Sequence, residues 1–145
     1  MARCFGDHNE FDPVRVARFT PHRIQKLMQN AGLVRNRLKI DGTVKNARAF
    51  LQVQRECGSF ARYAWDFVGG EPRLNAWASL GEVPAQTAES DALSKDLKKR
   101  GFTFVGSTIM YAWMQAVGLV NDHYLSCPRR NVVAARASWE TPSIR

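Results

Sequence analysis

The sequence predicts an all-α protein. Three observations support this fold class: apolar residues recur at helical spacing along much of the chain, Pro follows a capping residue at two places, and Gly closes several of the runs. No segment shows the two-residue alternation that is typical of a half-buried strand. We therefore expect one helical domain over residues 1–127. Residues 128–145 lack periodicity and are predicted to form a loosely ordered tail.

The N-terminal half is predicted to contain four helices. The pairs Asp12–Pro13 and Thr20–Pro21 each place a capping residue before proline, and Gly32 stops the second helix. Ser59 is predicted to begin a fourth helix that ends at Gly69–Gly70. Between them lies a longer amphipathic helix with apolar residues at Ile40, Val44, Ala47, Phe50, Leu51 and Val53.

The C-terminal half is predicted to contain two helices joined by a short turn. After a loop over residues 71–89, Ser90–Asp91 begins the fifth helix, which ends at Gly101. A sixth helix begins at Gly106–Thr108 and is closed by Gly118. The turn between them reads Gly-Phe-Thr-Phe-Val-Gly, so the two helices should form a compact hairpin.

The composition indicates a basic protein that binds nucleic acid. Lys and Arg total 21 against 13 for Asp and Glu, which gives a net charge of +8 over 145 residues. Such an excess is typical of nucleic-acid binders, although a basic protein without such a partner has the same composition. No apolar run is long enough to span a membrane, and the N-terminus lacks the apolar core of a secretory signal. Three widely spaced cysteines favour a reducing compartment, and we expect a cytoplasmic protein.

The turn between the fifth and sixth helices is a candidate DNA-backbone clamp. Glycines at both of its ends allow a close approach of phosphate, and the sixth helix directs free N–H groups toward the turn. The candidate DNA-binding residues are Lys98, Lys99, Gly101, Thr103, Gly106, Ser107 and Thr108. The same residues also serve as ordinary helix punctuation, because Gly commonly ends helices and cations complement the helix dipole. Within the turn, Phe102, Phe104 and Val105 are predicted to be core anchors rather than base-stacking groups.

A possible metal site follows the sixth helix. His123 and Cys127 are four residues apart, so a helical turn would place both side chains on one face, as a pair of zinc ligands. A structural zinc needs four protein ligands, and an isolated pair at this spacing is also common by coincidence. Cys4 and His8 have the same spacing and would complete the set by joining the two ends of the chain.

Several runs resemble the DNA-3-methyladenine glycosylase I family, the bacterial zinc-containing helix-hairpin-helix glycosylases. The matching runs, in the family's order, are FDPVRVARF, LMQNAGLVRNRLKI, VKNARAFL, SDALSKDLKKRGFTFVGSTIMYAWMQAVGLVNDH and the Cys127 that follows. The resemblance implies a helix-hairpin-helix DNA glycosylase-like fold, with GFTFVG as the DNA-binding hairpin. It also implies a structural zinc held in part by His123 and Cys127. The implied activity is base-excision repair, in which the N-glycosidic bond of 3-methyladenine is hydrolysed in double-stranded alkylated DNA, with no obligate protein partner.

The sequence departs from the family before the FDP run. Family members begin with a further segment that carries the other two zinc ligands, an acidic residue and the aromatics of the base pocket. We therefore expect an N-terminally shortened member with unassigned catalytic residues, and a non-catalytic DNA-binding fragment is the alternative. Asn121 and Asp122 lie about where related hairpin glycosylases place a catalytic Asp, but capping or support of His123 is the expected role. Tyr111 and Trp113 are expected to pack in the core.

Overall fold

The computed structural model describes residues 11–137. Over this range the chain forms seven α-helices and one two-stranded parallel sheet. No helix in the described range is long and apolar enough to cross a membrane. In chain order the elements are α1 (Pro13–Ala17), α2 (Pro21–Gln29), α3 (Arg37–Cys57), α4 (Phe60–Asp66), β1 (Arg73–Leu74), a 3-10 turn (Leu80–Glu82), α5 (Ala88–Lys99), α6 (Ser107–Ala116), β2 (Val120–Asn121) and α7 (Pro128–Ala137).

Local capping fixes the starts of the first three helices. Asp12 Oδ1 accepts the Val14 N–H at 2.9 Å, and Thr20 Oγ1 accepts the Arg23 N–H at 3.3 Å. In α1 and α2 a proline follows the cap, as the sequence predicts. In α3 the cap is Asn36. The predicted all-α fold is confirmed. These caps lie within a few residues of the groups they bind, so the sequence carries local signals for the helices.

The described residues fall into two compact units. The first comprises residues 11–60 and 97–104, and α1 packs against α3 within it. Its core is apolar, because the buried faces of the first three helices carry aliphatic and aromatic residues. The buried members of this core are Val16, Phe19, Leu27, Ile40, Val44 and Ala47.

The second unit comprises residues 61–96 and 105–137. Its short sheet pairs Arg73 with Val120 and Leu74 with Asn121. Beyond the paired residues, the Asn75 N–H donates to the Asn121 carbonyl at 3.2 Å. This pairing places the segment after β1 beside the segment after β2. Buried residues of this unit include Tyr63, Val68, Leu93, Val105, Met110, Tyr111, Met114, Leu119 and Val120.

One predicted helix start in the second unit was wrong. Helix α5 begins at Ala88 rather than Ser90. Thr87 and Ser90 exchange hydrogen bonds, since the Thr87 N–H donates to Ser90 Oγ at 2.9 Å and the Ser90 N–H to Thr87 Oγ1 at 3.4 Å. This reciprocal cap makes Thr87 the first capping residue.

The segment over residues 71–89 also differs from the predicted loop, because it holds β1 and the 3-10 turn. Strand β1 has only two residues and its partner is distant in sequence, so no local period could reveal it. Helix α7 lies where a loosely ordered tail was expected. Pro128 at its first position suits a helix start, although its apolar pattern is weak. The division into one domain and a tail stays a prediction.

Candidate functional site

The first part of the turn after α5 belongs to the first unit. Gly101 has φ +88°, a left-handed conformation that favours glycine, and its N–H donates to the Lys98 carbonyl at 3.0 Å. The Phe102 N–H donates to the Leu97 carbonyl at 3.0 Å. These two bonds close the C-terminus of α5, as the glycine predicted.

The side chain of Asn46 on α3 holds the next residue of the turn by both of its backbone groups. Asn46 Oδ1 accepts the Thr103 N–H at 2.8 Å, and Asn46 Nδ2 donates to the Thr103 carbonyl at 3.0 Å. Thr103 Oγ1 lies 3.3 Å from the same Oδ1. The backbone of Thr103 is therefore engaged inside the protein, although the sequence assigned this residue to direct DNA contact.

Phe104 is exposed, so its predicted role as a core anchor was wrong. Its side chain is 56% exposed, and its φ of +60° is unusual for a bulky residue. The left-handed backbone directs the ring along the surface of α3, next to Gly42. Phe102 is half-buried and its ring lies 6.1 Å from that of Phe60. Val105 is buried, as expected of a core anchor.

The second part of the turn belongs to the second unit and begins α6. Gly106 is the N-cap and offers no side chain to the helix, so the N–H groups of Ser107 and Thr108 have no intrahelical acceptor. Ser107 Oγ lies 2.8 Å from Ser90 Oγ, so the Ser107 hydroxyl already has a hydrogen-bond partner inside the protein. Thr108 is exposed. The start of α6 thus presents backbone donors rather than the Ser107 side chain.

The basic residues at the end of α5 differ in their surroundings. Lys98 and Lys99 are exposed, and neither forms an ion pair with a residue of the described range. Arg100 is partly buried, and its Nη1 lies 2.5 Å from Glu56 Oε2. The two lysines are therefore available to an anionic partner, whereas Arg100 is held within the first unit.

Asp122 in the second unit accepts hydrogen bonds on both carboxylate oxygens. Its Oδ1 accepts from Asn75 Nδ2 at 2.7 Å and from Trp77 Nε1 at 2.8 Å. Its Oδ2 accepts from Gln115 Nε2 at 2.7 Å. We call Asp122 and these three donors the Asp122 cluster. The cluster ties the segment after β1 to α6 and to the segment after β2.

The ionisation of Asp122 follows from these donors. Burial by itself would raise the pKa of Asp122, but the hydrogen bonds of the cluster outweigh it and lower the pKa. Burial is also the main cause that raises the pKa of Tyr111, and the neighbouring carboxylate of Asp122 adds to it. Asp122 is thus an ionised carboxylate whose three hydrogen bonds hold chain segments together.

The neighbours of Asp122 have structural contacts. Asn121 is 4% exposed, its Oδ1 accepts the His123 N–H at 3.2 Å, and its Nδ2 donates to the Arg130 carbonyl at 3.1 Å. This supports the prediction that Asn121 caps the segment before His123. Tyr111 is 2% exposed and packs in the core as expected, while Trp113 is half-buried.

His123 and Cys127 lie side by side, but they do not share a helical turn. His123 is in the segment after β2, and Cys127 directly precedes α7. Cys127 Sγ lies 3.5 Å from His123 Nδ1. The predicted proximity is therefore present, and loop geometry rather than helix geometry produces it.

The separation of the two side chains fits a shared zinc ion. Zinc bonds of about 2.3 Å to sulfur and about 2.0 Å to nitrogen at a tetrahedral angle place the two donors about 3.5 Å apart. No group of three or more candidate metal ligands occurs in the described part of the chain. Cys4 and His8 lie outside the described residues.

Sequence reasoning missed the contacts of two segments. Asn46 was not assigned a role, although Gly42 in the middle of a helix is a signal of close backbone approach. Asn75 and Trp77 lie in a segment without periodicity, and no local pattern pointed to Asp122.

Comparison with known structures places this fold among the 3-methyladenine DNA glycosylase I proteins. A structure from Staphylococcus aureus, described as the basis of 3-methyladenine recognition, superposes with a TM-score of 0.82 at 29% identity, over 88% of this chain and 68% of that one. A variant of 3-methyladenine DNA glycosylase I in complex with 3-methyladenine gives a TM-score of 0.79 at 30% identity, over 83% and 65%.

Sequence comparison identifies the family. DNA-3-methyladenine glycosylase 1 of Escherichia coli strain K12 is 48% identical over 124 residues, which are 86% of this chain. The methyladenine glycosylase family matches residues 4–130, and the chain belongs to that family. The chain spans 65% of the length of the Escherichia coli relative.

Proposed function

We propose that this protein is a DNA base-excision repair glycosylase that hydrolyses the N-glycosidic bond of 3-methyladenine in alkylated double-stranded DNA. The observation that carries the proposal is the family match over residues 4–130, together with 48% identity to the Escherichia coli DNA-3-methyladenine glycosylase 1. The net charge of +8 suits a polyanionic substrate. We place the reaction in the cytoplasm, where reduced thiols persist.

The proposed reaction requires the damaged base to leave the duplex stack. The flipped base is held by stacking and by hydrogen bonds to its edge. Methylation makes the base a cationic leaving group, so the bond to the sugar breaks with its electrons going to the base, and water adds to the sugar carbon. Orientation and stabilisation of the charged transition state are then the main demands on the protein. Asp122 is not assigned as the base that activates water, because donors occupy both of its oxygens.

DNA contact is proposed for the residues around the turn after α5. Lys98 and Lys99 are exposed and lack an ion-pair partner within residues 11–137, so they can neutralise phosphates. Gly106, Ser107 and Thr108 offer backbone N–H groups at a helix start, which attract anions. Gly101 contributes its left-handed backbone, and Thr103 contributes through a fixed peptide rather than through a free N–H.

Zinc is proposed as a structural ion. His123 Nδ1 and Cys127 Sγ would supply two ligands, and their separation of 3.5 Å supports this assignment. Cys4 and His8 are the proposed remaining ligands. The ion would stabilise the fold by joining distant parts of the chain, and it has no assigned part in bond cleavage.

A second candidate function is DNA binding without base excision. The state of Asp122 favours it, because this half-buried carboxylate accepts three side-chain hydrogen bonds that hold chain segments together. This candidate predicts salt-sensitive binding to DNA of any sequence.

The decisive assay measures release of free base. Folded protein, with helix content checked by circular dichroism, is incubated with methylated duplex DNA, and the supernatant is assayed for 3-methyladenine by mass spectrometry. We expect release together with new abasic sites. No release at micromolar protein that still binds the DNA would contradict the glycosylase proposal and favour the second candidate.

Metal content tests the zinc proposal separately. We expect about one zinc per chain by native mass spectrometry. Cys127→Ala should lose the ion, whereas Cys57→Ala should keep it, since Cys57 is also half-buried but is not one of the proposed ligands. Retention of zinc by both variants, or its absence from the wild type, would contradict the proposal.

A further inference from the structure

The turn segment Gly101–Phe104 is held firmly although it is not part of the core. Gly101 and Phe104 both have positive φ values, +88° and +60°. Such a backbone is unfavourable for a residue as bulky as Phe and persists only where its surroundings fix it. Phe104 nevertheless exposes 56% of its side chain. Core packing therefore does not explain why this conformation is maintained.

Asn46 is one of two residues on α3 that contact the turn segment Gly101–Phe104 and hold its conformation. A carboxamide has a donor and an acceptor, and Asn46 directs both to the peptide groups of Thr103, at 3.0 and 2.8 Å. The two residues are 57 positions apart in the sequence. Thr103 is only half-buried, so water could satisfy its backbone in the absence of Asn46. The two bonds thus define the position of the turn beyond what burial requires.

Gly42 is the second residue of α3 that contacts the turn segment. It is buried in the middle of α3, and a Cβ there would lie 2.7 Å from Phe104 Cε2 and 2.9 Å from Thr103 Oγ1. Glycine inside a helix destabilises it relative to alanine, so its presence is consistent with a requirement for close approach. The side chains of Thr103 and Phe104 lie directly on the helix backbone at this point.

We infer that Asn46, assisted by Gly42, is a positioning residue for DNA binding, an inference that rests on the function proposed above. Asn46 orients the peptide of Thr103 so that the following residue faces outward. The Phe104 N–H has no acceptor in the described part of the chain, and its ring lies at the surface. The ligand of this fixed edge is the sugar-phosphate backbone of DNA, which accepts hydrogen bonds from backbone N–H groups.

The test compares Asn46→Ala with Val44→Ala, a variant of the same helix. Val44 is 4% exposed and belongs to the core of the first unit, so its truncation lowers stability and leaves both Asn46 hydrogen bonds to Thr103 in place. Binding to a fluorescent DNA duplex is measured at several salt concentrations, at a temperature where circular dichroism shows both variants folded.

We expect Asn46→Ala to bind about tenfold more weakly than the wild type, the effect of losing two fixed hydrogen bonds. Val44→Ala should bind like the wild type. The slope of log affinity against log salt should stay unchanged, because Asn46 is uncharged and the lysines remain. In the free protein, the Thr103 amide should exchange with solvent faster in Asn46→Ala than in Val44→Ala.

Each other outcome has a distinct meaning. Equal affinity of Asn46→Ala and wild type, or an equal loss in Val44→Ala, would overturn the inference while leaving the proposed function intact. A flatter salt slope in Asn46→Ala would overturn it too, since the loss would then come from the lysine contacts. Failure of the wild type to bind DNA would overturn both the proposed function and the inference.

Discussion

The turn segment Gly101–Phe104 and the Asp122 cluster show two different uses of side-chain hydrogen bonds. In the turn, the single side chain of Asn46 holds one peptide and leaves the neighbouring Phe104 exposed. In the cluster, three side chains donate to one carboxylate, so that both of its oxygens accept hydrogen bonds. Both arrangements join segments more than 40 positions apart, by 57 in the turn and by 47 between Asn75 and Asp122.

The difference between the two regions concerns what remains available to a ligand. A held turn with an open edge can bind a partner without rearranging, which lowers the entropic cost of association. A carboxylate that accepts three side-chain hydrogen bonds contributes to stability instead, because its removal leaves those donors without their acceptor. This difference is why we propose DNA binding for the first region and a structural role for the second.

The largest effect is expected where the Asp122 cluster is broken. Asp122→Asn replaces one acceptor oxygen by an amide that faces a donor, so the variant should lose about 2–3 kcal/mol of unfolding free energy. Urea denaturation followed by circular dichroism measures this loss. Asp66→Asn is the matched control, since Asp66 is an exposed carboxylate in the same unit. A stability equal to that of the control would show that the cluster is not a structural anchor.

A smaller effect is expected from the cations beside the turn. Replacing Lys98 and Lys99 together by Gln should weaken DNA binding about tenfold and reduce the salt slope by about two, as two phosphate contacts are lost. Fluorescence anisotropy over a salt series gives both quantities. Arg100→Gln should change affinity by less than about twofold, because Arg100 is paired with Glu56. Equal losses in the two variants would mean that the Arg100 pair opens on binding.

The smallest effect is expected at Gly42, and it separates positioning from stability. In Gly42→Ala the gain in helix propensity offsets the contact with Phe104 and Thr103, so stability should change by less than about 1 kcal/mol. The Phe104 ring and the Thr103 hydroxyl must still shift, and DNA affinity should fall about threefold. Thermal denaturation and anisotropy on the same sample measure both. Unchanged affinity would indicate that the turn tolerates displacement.

The sequence predicted those features of the site that depend on neighbouring residues, and it failed for those that depend on distant contacts. Gly101 and Gly106 marked the ends of the turn, and both serve at helix boundaries as expected. Phe104 was assigned to the core because it is apolar, but its left-handed backbone places it at the surface. The sequence also predicted that His123 and Cys127 lie side by side. The prediction assumed a helical turn, whereas a loop joins the two residues.

The sequence by itself determined the starts of α1 and α2, the ends of the turn and the family. Asp12, Thr20 and Asn36 cap their helices through residues two or three positions away, so their effect depends on neighbours that are always close. The tertiary structure alone decided which polar groups are engaged and which stay open. Asn46 and Asp122 meet their partners only after distant segments have packed, because such hydrogen bonds depend on atomic distance and not on sequence pattern.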